Sequence, residues 1–76
     1  MHLAELPRGQ RGVITQITGQ GAFRRRLLEL GLLPGTVVER AGQAPLGDPL
    51  SFRIRGAVIS LRRRDAATVE IEPSNG

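Results

Sequence analysis

Cysteine, lysine, tyrosine and tryptophan are all absent from the chain. The missing cysteine excludes disulfides, thiolate metal sites and thiol chemistry. The single histidine, His2, sits in a terminal segment expected to be mobile, so acid–base chemistry has few groups to draw on. Three serines remain, Ser51, Ser60 and Ser74, and none has a base beside it in sequence. These absences argue for a non-enzyme without a cofactor. No apolar run approaches the ~20 residues of a membrane helix, and no charged-then-apolar signal segment opens the chain. The cytoplasm is the expected location.

What is present is short. The 76 residues allow one domain, and a chain of that size buries only about 60% of the surface its unfolded form exposes. Little is left over for a deep substrate cavity, so a binding module is the default. Eleven arginines stand against seven acidic residues, a net charge of +4. Arginine at every basic position matches coding bias in a GC-rich genome; the net charge itself still calls for a reading. Nucleic acid is one candidate, because five-stranded barrels bind it and the sequence pI is near 11.6. Single-strand binding by such barrels uses exposed aromatic rings as stacking platforms. The two rings available, Phe23 and Phe52, fall on expected core faces, which disfavours nucleic acid.

Leu3 and Leu6 make a short apolar patch ahead of a turn at Pro7 and Gly9. The β-branched run VITQIT, residues 13–18, predicts a first strand. After the loop GQG a helix is expected over 22–30, stopped by Gly31 as a left-handed C-cap with Pro34 beyond. TVVERA (36–41) predicts a second strand. In LSFRIR (50–55), Leu50, Phe52 and Ile54 alternate with Ser51, Arg53 and Arg55, as in a strand with one buried face. AVISLR (57–62) follows the Gly56 turn with Ala57, Ile59 and Leu61 on one face, and RRDAA reads as a short turn. TVEIE (68–72) sets Val69 and Ile71 inward. The class is mainly β: a small five-stranded barrel with a short helical insertion after the first strand. The domain is expected over 1–72, with 73–76 as a frayed tail.

Three consecutive arginines open the helix. Residues three and four apart share a helical face, so Phe23, Leu27 and Leu30 form the stripe expected to be buried. Arg24, Arg25 and Arg26 point roughly 100° apart and make no single patch. Arg25 precedes Glu29 in the less favourable order for a helical ion pair. Basic residues in the first turn also oppose the helix dipole, and a violated local rule often marks function. Beside Arg24 lies Leu28, and Leu32 and Leu33 follow the C-cap. Two arrangements are compatible with this run: a mixed apolar–basic docking surface, or leucines tucked against the barrel end under solvated arginines.

Other motifs carry weaker chemistry. GQGAFRR places a Gly-x-Gly turn before a helix N-terminus, but Arg24 stands where a dinucleotide fingerprint has its third glycine. Glu70 and Glu72 share a strand face; solvated pairs with Arg53, Arg55 or Arg62 are the expected arrangement rather than a metal site. Asp48, between Gly47 and Pro49, is expected to cap its own turn.

The segments RRLLELGLLPGTVVE, APLGDPLSFRIRG and SLRRRDAATVEIE resemble the FeoA family of ferrous iron transport accessory proteins. The opening LAELPRGQRGVITQITG also looks like that family's start, so the resemblance covers nearly the whole chain. Leu28, Gly31, Pro34 and Gly35, with the Ala-Pro-Leu-Gly-Asp-Pro loop, are its most specific parts. The resemblance implies an SH3-like barrel with a helical insertion and no enzymatic activity. It also implies contact with FeoB, the membrane transporter with a cytoplasmic GTP-binding domain. The same domain type follows the DNA-binding and dimerisation parts of iron-dependent repressors; with no such preceding region here, a free-standing protein is expected. The expected docking surface is Arg24, Arg25, Leu28, Leu32 and Leu33, with Pro45, Leu46, Gly47, Asp48 and Pro49 as a second contact. Arginines would also favour the anionic cytoplasmic leaflet, and the same leucines could serve weak self-association. Direct binding of a transition metal stays open.

Overall fold

The computed structural model describes residues 1–74. Strands β1 (Arg11–Ile17), β2 (Val37–Gln43), β3 (Leu50–Ile54), β4 (Ala57–Leu61) and β5 (Val69–Ser74) form one antiparallel sheet, ordered β4-β3-β2-β1-β5. Helix α1 (Gly21–Glu29) joins β1 to β2, and the single turn α2 (Arg63–Ala66) joins β4 to β5. This is the mainly β architecture the patterning predicts.

Period-two alternation fills the core. Leu50, Phe52 and Ile54 of β3 are buried, as are Val69 and Ile71 of β5. Removing a side chain such as Phe52 fully from water contributes roughly 1.5–3 kcal/mol. Bulges at Ile14/Gln16 and Arg40/Gly42 bend the strands, so that all five can wrap one core. Gly12 permits the close approach of β1 to β5: a Cβ there would stand 2.9 Å from Ile71 Cδ1 and 3.1 Å from the Glu72 carbonyl oxygen.

Four details differ from the sequence expectation. The N-terminus is anchored: Leu3 and Leu6 are buried, the Ile71 N–H donates to the Met1 carbonyl at 2.8 Å, and His2 bridges Glu70. The apolar patch carries the segment along the outer edge of β5. Within it, the His2 N–H donates to Glu5 Oε1 at 2.9 Å, which holds the Glu5 carboxyl below its usual range. Pro73 and Ser74, placed in the tail by the sequence reading, continue β5 opposite Gly12 and Arg11; the rest of the expected tail, 75–76, lies outside the described residues.

The other two differences follow from strand order. In β4 only Leu61 is buried, while Ile59 is half-buried and Ala57 exposed, because among the described residues β4 is the outermost strand, with no strand on its far side. Glu70 and Glu72 lie beside β1, away from Arg53, Arg55 and Arg62. Glu70 Oε2 stands 3.9 Å from the Met1 amino group, and Arg53 pairs with Glu39 across β2 and β3 at 3.4 Å.

Candidate docking surface

Helix α1 ends as its glycine requires. Gly31 has φ +100°, and its N–H donates to the Leu28 carbonyl at 3.0 Å while the Leu32 N–H donates to Leu27 at 3.1 Å. These two bonds make a Schellman motif, in which the residue after the glycine folds back onto the last turn. Leu32 is therefore fully buried beside buried Leu27 and cannot belong to a docking surface, a correction to the sequence reading. Leu28 is half-buried against the core. Leu30, expected inside, is 40% exposed, since Leu32 occupies the inner position that the stripe assigned to it. Leu33 is 38% exposed at the head of the Leu33–Thr36 turn, which the Thr36 N–H closes onto the Leu33 carbonyl. Pro34 and Gly35 occupy its middle, with Gly35 at φ +89°.

The arginines stay outside. Arg24, Arg25 and Arg26 are exposed, and among the described residues their guanidinium groups have no hydrogen bond or ion pair; the Arg25–Glu29 pairing is not formed. No acidic residue and no side-chain cap offsets them at the helix start. Phe23 is half-buried, its ring lying over Gly19, where a Cβ would come within 2.6 Å of it.

The loop after β2 is clamped at its base. The Gly47 N–H donates to Ala44 at 2.8 Å and the Ala44 N–H to Pro49 at 2.9 Å. Asp48 does not cap its own turn. Its Oδ1 accepts the Arg63 N–H at 2.9 Å, capping α2, and Arg63 Nε returns a bond to the Gly47 carbonyl at 2.7 Å. Pro45, Asp48 and Pro49 are exposed and Gly47 half-buried. Above this clamp Leu46 is 97% exposed, the most exposed large apolar side chain described.

Sequence reasoning passed over Arg40, which is 6% exposed on the inner face of β2. Its guanidinium donates to the Leu6 carbonyl at 3.0 Å, the Gly42 carbonyl at 2.9 Å and Gln43 Oε1 at 2.7 Å. Burial lowers its pKa from the ordinary value, with Arg63 and Arg8 adding to the effect. The signal was its parity with Val38, two residues before on the same buried face. Arg40 thereby ties the N-terminal segment to the root of the Leu46 loop. Among the described residues no three His, Asp or Glu side chains converge to hold a metal ion. Nor is any described helix long and apolar enough to cross a membrane.

The FeoA domain family matches residues 1–73. The chain belongs to the FeoA family. It is 44% identical over 72 residues to an Fe(2+) transport protein A/Fe(2+) transporter FeoB fusion protein of Porphyromonas gingivalis, a match covering 95% of this chain. The chain spans only 8% of that relative. Iron(II) transport protein A from Clostridium thermocellum superimposes with a TM-score of 0.94 at 34% identity, over 100% of this chain and 47% of that one. FeoA of Stenotrophomonas maltophilia, solved with zinc, gives 0.84 at 30% identity over 95% and 89%. That FeoA is described as an SH3-domain protein and put forward as a ferrous iron transport activating factor. The sheet and inserted helix of this FeoA-family chain are thus SH3-like.

Proposed function

We propose that this FeoA-family chain is a non-enzymatic accessory domain of ferrous iron transport, docking on the cytoplasmic side of FeoB and modulating Fe(II) uptake. The observation that carries the reading is covalent linkage. In the P. gingivalis relative, transport protein A and the FeoB transporter share one polypeptide, and this chain matches 72 residues of it at 44% identity. Fusion holds two modules at a high effective concentration, which is useful for partners that touch.

The docking surface is the exposed part of the two segments described: Leu46 on its clamp, Leu33, and Arg24 and Arg25 with Leu28 at their margin. Pro45, Gly47, Asp48 and Pro49 hold Leu46 in place. The interface is small, with its energy concentrated in a few side chains. The unpaired arginines add attraction to the anionic inner leaflet near the transporter.

The test is a titration against purified FeoB from the same organism, with and without a GTP analogue. A Leu46→Glu, Arg24→Glu double variant runs beside it. Saturable binding that the double variant weakens about tenfold, ~1.4 kcal/mol, at unchanged thermal stability is the expected result. Equal binding by the variant removes this surface, and no binding in either nucleotide state removes FeoB as the partner.

A further inference from the structure

The two outer edges of the sheet are treated differently. The edge of β5 is covered by the N-terminal segment through the Ile71–Met1 hydrogen bond and the His2–Glu70 bridge, and it carries Glu70, Glu72 and Pro73. Among the described residues the edge of β4 has no strand beside it, and no bulge interrupts its pairing with β3. Its sequence AVISL lacks charge, proline and glycine.

Register shows which groups are free there. β3 and β4 join through a two-residue turn, Arg55 (φ +51°) and Gly56 (φ +82°), with Ile54 opposite Ala57 and Phe52 opposite Ile59. In such a hairpin the closing pair exchanges its hydrogen bonds, and bonded pairs then alternate along the ladder. Ala57, Ile59 and Leu61 therefore bond inward to β3. Val58 and Ser60 direct N–H and C=O outward, and both residues are exposed, Val58 to 57%.

Beside this edge lies a cavity of about 200 Å³ between α1 and the end of β4, lined by Phe23, Leu27 and Leu30 on one side and Ser60 and Leu61 on the other. Arg26 and Arg62 line it as well, with Asp65. Neither guanidinium has a partner among the described residues, whereas the one carboxylate there, Asp65, already faces Arg64 at 3.9 Å.

We propose that the β4 edge and its neighbouring cavity form a strand-addition site for an extended acidic segment of a partner protein. Val58 and Ser60 supply the backbone bonds, the cavity takes one apolar side chain, and Arg26 and Arg62 meet carboxylates. Strand addition divides labour in this way, main-chain bonds giving affinity and alternate side chains giving selectivity. A second copy of this chain is the wrong occupant, because it would bring the same two arginines to a lining already positive. The assignment stands whether or not FeoB supplies the segment.

The probe is a blocked heptapeptide alternating glutamate with valine and leucine, added to the isotopically labelled chain, with a lysine-for-glutamate peptide as control. Amide exchange at Val58 and Ser60 is expected to slow about tenfold on saturation, while Ala57 and Ile59 stay unchanged. The lysine peptide and an Arg26→Glu, Arg62→Glu variant each bind about tenfold more weakly. Val58→Pro removes an outward N–H that β3 does not use, so it abolishes protection at Ser60 without disturbing the hairpin. If that variant does not fold, the double arginine variant still decides. Unchanged exchange at Val58 and Ser60, or equal affinity for the lysine peptide, overturns the proposal. Protection that rises with protein concentration alone also overturns it, in favour of self-pairing.

Discussion

The connection after α1 and the loop after β2 read alike: each is short, rich in glycine and proline, and contains leucine. They place their leucines oppositely. Leu32 is wholly buried and Leu46 is 97% exposed. The difference lies in where backbone polar groups find partners. At the end of α1 the Gly31 and Leu32 N–H groups satisfy the last carbonyls of the helix, and that motif carries Leu32 against Leu27. In the β2–β3 loop, bonds from Ala44, Gly47 and Arg63 close the base of the loop, leaving Leu46 at its crest with nothing to fold onto. Hydrophobicity alone does not say which leucine goes in; the hydrogen-bond accounting around it does.

A matched pair of variants tests this contrast most directly. Leu32→Ala should lose about 2–5 kcal/mol of stability as a cavity opens in the core. Leu46→Ala should stay within about 0.5 kcal/mol, as surface changes do. Urea denaturation of both variants measures the gap, and equal losses would refute the contrast. Next in size, Gly31→Ala should cost about 1–2 kcal/mol through its left-handed backbone alone. Space is not the obstacle, since the nearest atom to the new Cβ, Ile54 Cγ2, would lie 3.6 Å away. A thermal midpoint unchanged by Gly31→Ala would show that the Schellman geometry is not what seats Leu32. Smallest, Asp48→Ala should cost about 1 kcal/mol as α2 loses its cap. Hydrogen exchange at the Arg63 amide should quicken with it, and an unaltered rate would mean that the loop holds Leu46 up without this bond.

Local chemistry was legible in the sequence and non-local closure was not. The alternation in β3 and β5 announces which side chains face inward, because a strand's period is two. Gly31 as a cap was equally readable, and following the Schellman rule one residue further would have put Leu32 inside. Leu30 departs from the stripe because it is itself the C-cap residue, where the helix face no longer continues. Asp48 shows the limit more plainly. Its turn is evident from Gly47 and the prolines, yet its partner is the Arg63 amide, 15 residues on and beyond the β3–β4 hairpin. The anchoring of His2 and Met1 on β5 was hidden for the same reason, although buried Leu3 and Leu6 were the visible hint. Of the expected surface, Arg24, Arg25, Leu33 and the Leu46 loop are presented outward, and only Leu32 is lost from it altogether.

One feature bears on how the chain reaches this state. β1 sits between β2 and β5, with Arg11 opposite Glu39 on one side and opposite Ser74 on the other. The first pairing spans 28 residues and the second 63, so their entropic costs differ. The β2–β3–β4 meander and its contact with β1 can form early from neighbours in sequence, while β5 must arrive from the far end. Refolding should therefore fall toward the millisecond-to-second range typical of barrels built on distant pairings. Until β5 docks, β1 is an open edge, and in that interval the nascent domain has a second place where a foreign strand can add.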